Sequence, residues 1–259
     1  MTKHDALRMT YVGGPTAVIE LGGLRLLTDP AFDVAGSEYA TGPVTLWKTA
    51  GPALDAASVG AVDVVLLSHD HHFDNLDHTG RELLSKAARV LTTREGAERL
   101  GGHAAGLTPW ESVELTAPDG RVLRVTATPA QHGPKNGDRG PVIGFVLQFT
   151  DDRENAVYVS GDTVWFEGVE EVIRRFPSIK TAVLFLGAAH VAIVPSHLTF
   201  TAEEGVKVAR ALPEAKIVPL HFEGWKHFTE SRDVIARTFA EAGLGDRLQW
   251  LEAGRAVAV

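Results

Sequence analysis

The hydrophobic pattern changes its period along the chain. Near the start, apolar runs at Tyr11-Val12, Thr16 to Leu21 and Leu24 to Thr28 are separated by glycine turns, and the last ends in Asp29-Pro30. Short runs bounded by glycine predict the strands of a β-meander. From Phe32 to Pro52 the periodicity disappears while Gly, Pro, Tyr39 and Trp47 accumulate, which predicts a long loop lying over a pocket as a lid. Val62 to Leu67 is a compact apolar run and predicts a short buried strand. Thr79 to Ala88 and Arg94 to Leu100 have helical spacing, with a strand at Arg89 to Thr92 between them. Strands resume at Ser112 to Leu115, Arg121 to Thr128, Val142 to Phe149 and Ala156 to Ser160, the first two joined by the turn Pro118-Asp119-Gly120. The last third alternates again: helix Trp165 to Phe176, strand Ala182 to Leu186, helix Ala202 to Ala211, strand Ile217 to Leu220, helix Ser231 to Ala242. Thr201-Ala202-Glu203-Glu204 fits a capping box at the start of its second helix.

Strand runs followed by helices, twice over, predict an α/β protein whose two halves pack sheet to sheet with helices outside. No linker or low-complexity segment divides the sequence, so one domain over residues 1–259 is expected. Such a sandwich lines up loops from both halves along one edge.

Composition narrows the function classes. With no cysteine in 259 residues, disulfides and thiolate ligands are excluded, and any metal must be held by nitrogen and oxygen donors. A formal net charge of −8 without a Lys/Arg block argues against nucleic acid as a partner and leaves a small-molecule substrate as the expectation. No apolar stretch approaches the roughly 20 residues that cross a bilayer. Met1 to Asp5 lacks the apolar core of a signal peptide. Both features predict a cytoplasmic protein without membrane insertion, compatible with a homo-oligomer.

The densest chemistry follows the Val62 to Leu67 strand. Ser68-His69-Asp70-His71-His72-Phe73-Asp74-Asn75-Leu76-Asp77-His78 places four of the eleven histidines and three aspartates within ten residues. His69 and His71 are two apart, and in extended backbone that spacing points both rings to one side, where they can share a metal. Three further polar residues sit just after apolar strands: His132 in Thr128-Pro129-Ala130-Gln131-His132, Asp162 in Ser160-Gly161-Asp162-Thr163, and His221 in Val218-Pro219-Leu220-His221. Three imidazoles with an open position describe a catalytic metal site, and a carboxylate such as Asp162 can bridge two cations. His72 is either a ligand, a supporting donor or a residue facing away. Asp77 and His78 suit a helix start. Asp29 either supports a metal-bound histidine or is an ordinary Asp-Pro turn residue. His4, His103 and His227 carry no such context, and Trp47, Trp165, Phe222 and Trp225 read as pocket lining or plain core.

In this order the motifs resemble the metallo-β-lactamase superfamily, whose members carry His-x-His-x-Asp-His followed by His, Asp and His at later strand ends. The resemblance covers nearly the whole chain. Leu27-Thr28-Asp29-Pro30, Pro129-Ala130-Gln131-His132, Gly161-Asp162-Thr163 and His197 ahead of Thr201-Ala202-Glu203-Glu204 are similar to the branch of ascorbate-6-phosphate lactonases and N-acyl phosphatidylethanolamine phospholipases D. It implies a four-layer αβ/βα sandwich with one or two divalent transition-metal ions, zinc or manganese, with iron as a further choice. The implied ligands are His69, His71, Asp74, His132, Asp162 and His221, with His72 and Asn75 as less regular members of the set. His197 corresponds to an active-site histidine beyond the metal shell.

The sequence departs from the pattern in two places. Asp74 comes five residues after His69 instead of four, and Asn75 stands where the motif ends in histidine. Aligned from the left, His69 and His71 lead the motif; aligned from the right, Asp70 and His72 do. The left alignment keeps Ser68-His69 flush against the strand. Asn75 is a poorer ligand than imidazole, so the second position, formed by Asp74, Asp162 and His221, is expected to be weak, empty or filled by a harder cation. Gly13-Gly14-Pro15-Thr16 also lacks the histidine that this branch often carries there.

The implied activity is hydrolysis of an ester, lactone or phosphoester by metal-activated water. Asp74 or Asp162 would orient the nucleophile, and His197 would stabilise the oxyanion or protonate the leaving group. A phosphodiesterase acting on a lipid or nucleotide is the alternative nearest to this. A redox protein and a non-catalytic metal-binding module are alternatives from other classes.

Overall fold

The computed structural model describes residues 7–135 and 139–259. The amino-terminal signal-peptide expectation and His4 lie outside these residues. A meander of β1 (Arg8–Gly13), β2 (Thr16–Leu21) and β3 (Leu24–Thr28) opens the chain. The stretch expected to be an aperiodic loop carries a hairpin, β4 (Glu38–Thr41) and β5 (Val44–Trp47). Tyr39 and Leu46 pair across it and are buried, while Glu38 and Trp47 face out. Gly42 and Pro43 make its two-residue turn, and Gly42 takes φ +65°, which an L side chain resists.

Then follow β6 (Val64–Leu66), α1 (His78–Leu84), β7 (Arg89–Thr93), α2 (Arg94–Leu100) and β8 (Ala104–Leu107). The second half runs β9 (Ser112–Thr116), β10 (Val122–Pro129), β11 (Ile143–Phe149), β12 (Ala156–Val159), α3 (Glu167–Arg175), β13 (Ile179–Phe185), α4 (Ala202–Ala211), β14 (Lys216–Leu220) and α5 (Arg232–Glu241). A last strand, β15 (Ala256–Ala258), returns to β1. Among the described residues no helix is long and apolar enough to cross a membrane.

The strands form a seven-stranded sheet, β15-β1-β2-β3-β6-β7-β8, and a six-stranded sheet, β14-β13-β12-β11-β10-β9. Their facing sides share one apolar layer, with Ile19, Leu26, Leu66, Val125, Phe145 and Phe185 fully buried. The opposite faces carry helices: Tyr158, Ala182 and Leu184 pack against Val172, Val208 and Phe239, while Val65, Leu67 and Val90 pack against Leu83 and Leu84. Adjacent residues of one strand therefore serve different cores, as Val65 and Leu66 do. This explains why these strands read as unbroken apolar runs. The result is the expected four-layer αβ/βα sandwich.

Candidate metal centre

The strand ends converge on one edge. Ser68 to Asp77 leaves β6, Gln131-His132 leaves β10, Gly161-Asp162 leaves β12 and His221 leaves β14. Gly161 permits the approach: a Cβ there would lie 2.7 Å from the Ile143 carbonyl and 2.9 Å from Ser68 Cβ. His221 is held at φ +54°, an unusual backbone conformation for a non-glycine residue, with its N–H donating to the Gly14 carbonyl at 2.8 Å.

Two groups of donors meet here. His69 Nε2 and His132 Nε2 lie 2.9 Å and 3.1 Å from His72 Nδ1, and His132 Nε2 lies 3.6 Å from Asp162 Oδ2. On the other side of Asp162, His221 Nε2 is 3.5 Å from Oδ1 and 3.4 Å from Asp74 Oδ2. Asp162 thus faces both groups. After His72 a turn brings the Asn75 and Leu76 N–H groups to the His72 carbonyl, at 3.3 Å and 3.0 Å. His71 stays close, its ring 4.8 Å from that of His69; its Nε2 donates to the Arg139 carbonyl at 2.9 Å, and its Nδ1 is buried without a hydrogen-bond partner, within reach of a cation shared with His69 and His72. Asn75 is fully buried and its Nδ2 donates to Asp162 Oδ1 at 3.3 Å.

Supporting contacts fix the tautomers. Asp29 Oδ1 accepts from Ser68 N at 2.9 Å and Ser68 Oγ at 2.6 Å, leaving Ser68 Oγ to accept from His69 Nδ1 at 2.9 Å. His132 Nδ1 donates to the Leu198 carbonyl at 2.9 Å. Both Nε2 atoms then present lone pairs toward the same space, an arrangement suited to a positive centre. Burial lifts the Asp29 carboxyl to about 8 despite its bonds from Ser68.

The electrostatics fit a cation as well. Burial and the imidazoles of His72, His132 and His71 hold His69 well below the ordinary histidine range. Burial and His132 take His72 down to about 3. Burial opposes ionisation of Asp74, but the imidazoles of His221 and His227 beside it keep it well below the usual carboxylate range. Asp162 is likewise lowered by His221 against burial. Burial would neutralise His221, yet Asp162 and Asp74 outweigh it and lift the imidazole to about 10. The neutral imidazoles of His69 and His72 beside two ionised carboxylates suit a divalent transition metal, for which His221 would give up its proton. Asp162 Oδ2, Asn75 Oδ1 and both His221 nitrogens are buried without hydrogen-bond partners, as atoms held for an ion would be.

Above these donors lies a narrow, partly open cleft. Thr41, Val44 and Leu46 of the β4–β5 hairpin form one wall, Ala189, Val191 and Leu198 the other, with His72, Asp74, His132, Arg139 and His227 between them. Among the described residues, the Arg139 guanidinium has no ion-pair partner. His197 points elsewhere, its Nε2 3.2 Å from Glu204 Oε2 at the start of α4. His227, which the sequence pattern does not single out, places Nε2 3.0 Å from Asp74 Oδ2. Its only sequence signal is its position six residues after His221 among aromatic residues. Asp77 caps α1 by accepting from Gly80 N at 2.9 Å and stays outside the donor set.

Comparison with known proteins agrees with this architecture. Residues 24–222 match the model of the family described as Beta-lactamase superfamily domain. The chain is 26% identical over 256 residues to the UPF0173 protein YddR of Bacillus subtilis, covering 93% of this chain and 96% of that protein. It is 25% identical over 209 residues to a UPF0173 metal-dependent hydrolase of Thermococcus onnurineus, covering 78% and 85%. Among solved structures, isothiocyanate hydrolase from Delia radicum gut bacteria superposes with a TM-score of 0.83 at 24% identity, covering 97% of this chain and 99% of that one. The possible metal-dependent hydrolase of Veillonella parvula gives 0.83 at 18%, covering 98% and 100%. By fold, motif order and family match together, the chain belongs to the metallo-β-lactamase superfamily.

Proposed function

We propose that the protein is a metal-dependent hydrolase of a small molecule carrying an ester, lactone or phosphoester. The observation that supports this most is the meeting of imidazoles and buried carboxylates from four strand ends under a narrow cleft. His69, His72 and His132 would hold one zinc or manganese ion, and Asp74 and His221 would hold a second, with Asp162 between them. His71 is the alternative third imidazole of the first position. Bound there, the cations supply Lewis acidity and make water nucleophilic near neutral pH.

The chain's own residues do the remainder. Asp74 borders both the second position and the cleft, so its carboxylate orients the attacking water and accepts its proton. His197 acts from outside the cleft, holding the Leu198 segment whose carbonyl fixes the His132 tautomer. Arg139 draws an anionic group of the substrate, while the hairpin wall covers an apolar body and excludes water.

The test is hydrolysis of ester, lactone and bis-phosphate reporters by protein stripped with a chelator and reloaded with zinc or manganese. Activity should disappear on stripping and return on reloading. A purified protein that takes up no transition metal sinks the proposal. Turnover of the bis-phosphate alone would favour the phosphodiesterase alternative, and metal uptake without turnover of any reporter would favour a non-catalytic module.

A further inference from the structure

The second cation position lacks the imidazole that Asn75 replaces, and Asn75 does not make up the loss. Its amide nitrogen donates to Asp162, and a carboxamide is in any case a weak ligand beside imidazole. The opposite side of Asp74 supplies another nitrogen. Asp74 Oδ2 is approached by two imidazoles, His221 Nε2 at 3.4 Å and His227 Nε2 at 3.0 Å. In a tetrahedral site with bonds of about 2.0–2.2 Å, donor atoms stand roughly 3.3–3.5 Å apart. The His221 separations match that spacing, and the separation of His227 from Asp74 is slightly shorter. The His227 side chain is 10% exposed and borders the cleft. Its Nδ1 is buried without a partner, so no hydrogen bond at the far end of the ring explains its orientation.

The loop that delivers His227 is held from several directions. Thr49 N and Ala50 N donate to the Gly224 carbonyl at 2.8 Å and 3.4 Å, Lys226 N to Trp47 at 3.0 Å, and His190 N to His227 itself at 2.9 Å. The ring lies against Phe228 at 4.7 Å and Trp225 at 6.1 Å between centroids. One loop thus carries His221 and His227, and the strand end of the cleft-covering hairpin fastens it.

We propose that His227 ligates the second cation in place of the imidazole missing at Asn75. The assignment rests on reading this cluster as a two-cation centre, and it makes the second position strong where the sequence alone predicts a weak one.

The test is titration of metal-free protein with cobalt(II), read by bound metal per chain and by the visible absorption bands that report ligand number. Wild-type protein should bind two ions. His227→Ala should lose the second, its affinity falling by more than the roughly 10–100-fold that loss of a mere supporting hydrogen bond costs. Adding Asn75→His to that variant should restore it, whereas Asn75→His alone should leave the stoichiometry at two. His227→Gln keeps the volume and a donor to Asp74, and it too should lose the second ion, which keeps the test sound if the alanine variant does not fold. Two ions retained by His227→Gln within about 10-fold of wild-type affinity overturn the assignment. So does a wild-type protein that binds one ion, although that result leaves the hydrolase reading intact. A wild-type protein that binds none overturns the site itself.

Discussion

Single hydrogen bonds decide which histidine atoms face the centre. The path from Asp29 through Ser68 Oγ to His69 Nδ1 places the His69 lone pair on Nε2, where His72 and His132 also point. Ser68→Ala should therefore lower metal affinity by about 10–100-fold while far-ultraviolet circular dichroism stays unchanged. An unchanged dissociation constant would remove the path from the account. The motif region makes a sharper comparison. His72→Ala should abolish tight binding of one ion per chain, while His71→Ala, which loses a contact to the Arg139 carbonyl, should retain it; the reverse ranking would restore the left-aligned motif. Sequence spacing singles out His69, His132, Asp162 and His221 because each directly follows an apolar run. The choice between His71 and His72 depends on where a turn absorbs one residue, and the part of His227 depends on the path of a loop, neither of which spacing encodes.

Two elements hold the edge of the site in place. Lys48, just past the hairpin, is 5% exposed and donates to Asp77 Oδ2 and to the Ala31 carbonyl, both at 2.9 Å. Asp77 in turn caps α1, so one buried ion pair ties the cleft wall to the helix after the histidine cluster. Lys48→Met should destabilise the protein by about 3–5 kcal/mol, because it leaves a buried carboxylate without its cation. Urea denaturation with an unchanged m-value would measure this, and a loss under 1 kcal/mol would contradict it. At α4, His197 and Glu204 are mutually stabilised beside the capping box. The hydrogen bond to Glu204 raises the His197 pKa; burial acts against Glu204, yet its carboxyl is lowered. The His197 contribution is complete below about pH 6.5 and fades as pH rises through its raised value. That of Glu204 is present above about pH 4.5 and fades as pH falls through its lowered value. His197→Ala should thus lower the unfolding free energy most between about pH 4.5 and 6.5, by no more than about 1 kcal/mol at this partly exposed site, read from denaturant melts across that range. A pH-independent difference would contradict the pairing. The central strands and long helices were legible because burial on one or two faces imposes a period. The hairpin was not, since Gly42-Pro43 reads as loop composition, and the edge strands Ala104–Leu107 and Ala256–Ala258 carry too little apolar surface to stand out.

The sandwich makes one edge out of segments that are far apart in sequence. Each sheet buries both faces, so backbone at the strand ends is fixed by two cores at once, and polar side chains just beyond them meet with little freedom. The cost is a cluster of buried carboxylates and imidazoles that repel or leave one another unpaired in the absence of a cation. Metal removal should therefore lower the thermal midpoint as well as any activity, and a midpoint unaffected by chelation would count against a structural contribution from the ions. Fold class and the edge location follow from the sequence pattern; the substrate does not, because Arg139 and the hairpin wall are brought to the cleft only by tertiary packing. The central claim is that the four strand ends hold divalent cations. A crystal of metal-loaded protein, measured for anomalous scattering at the metal absorption edge, tests it directly. Peaks are expected between His69, His72 and His132 and between Asp74, His221 and His227, on either side of Asp162. Absence of any peak within bonding distance of these residues, or an ion held by His71 with His72 turned away, would contradict the account.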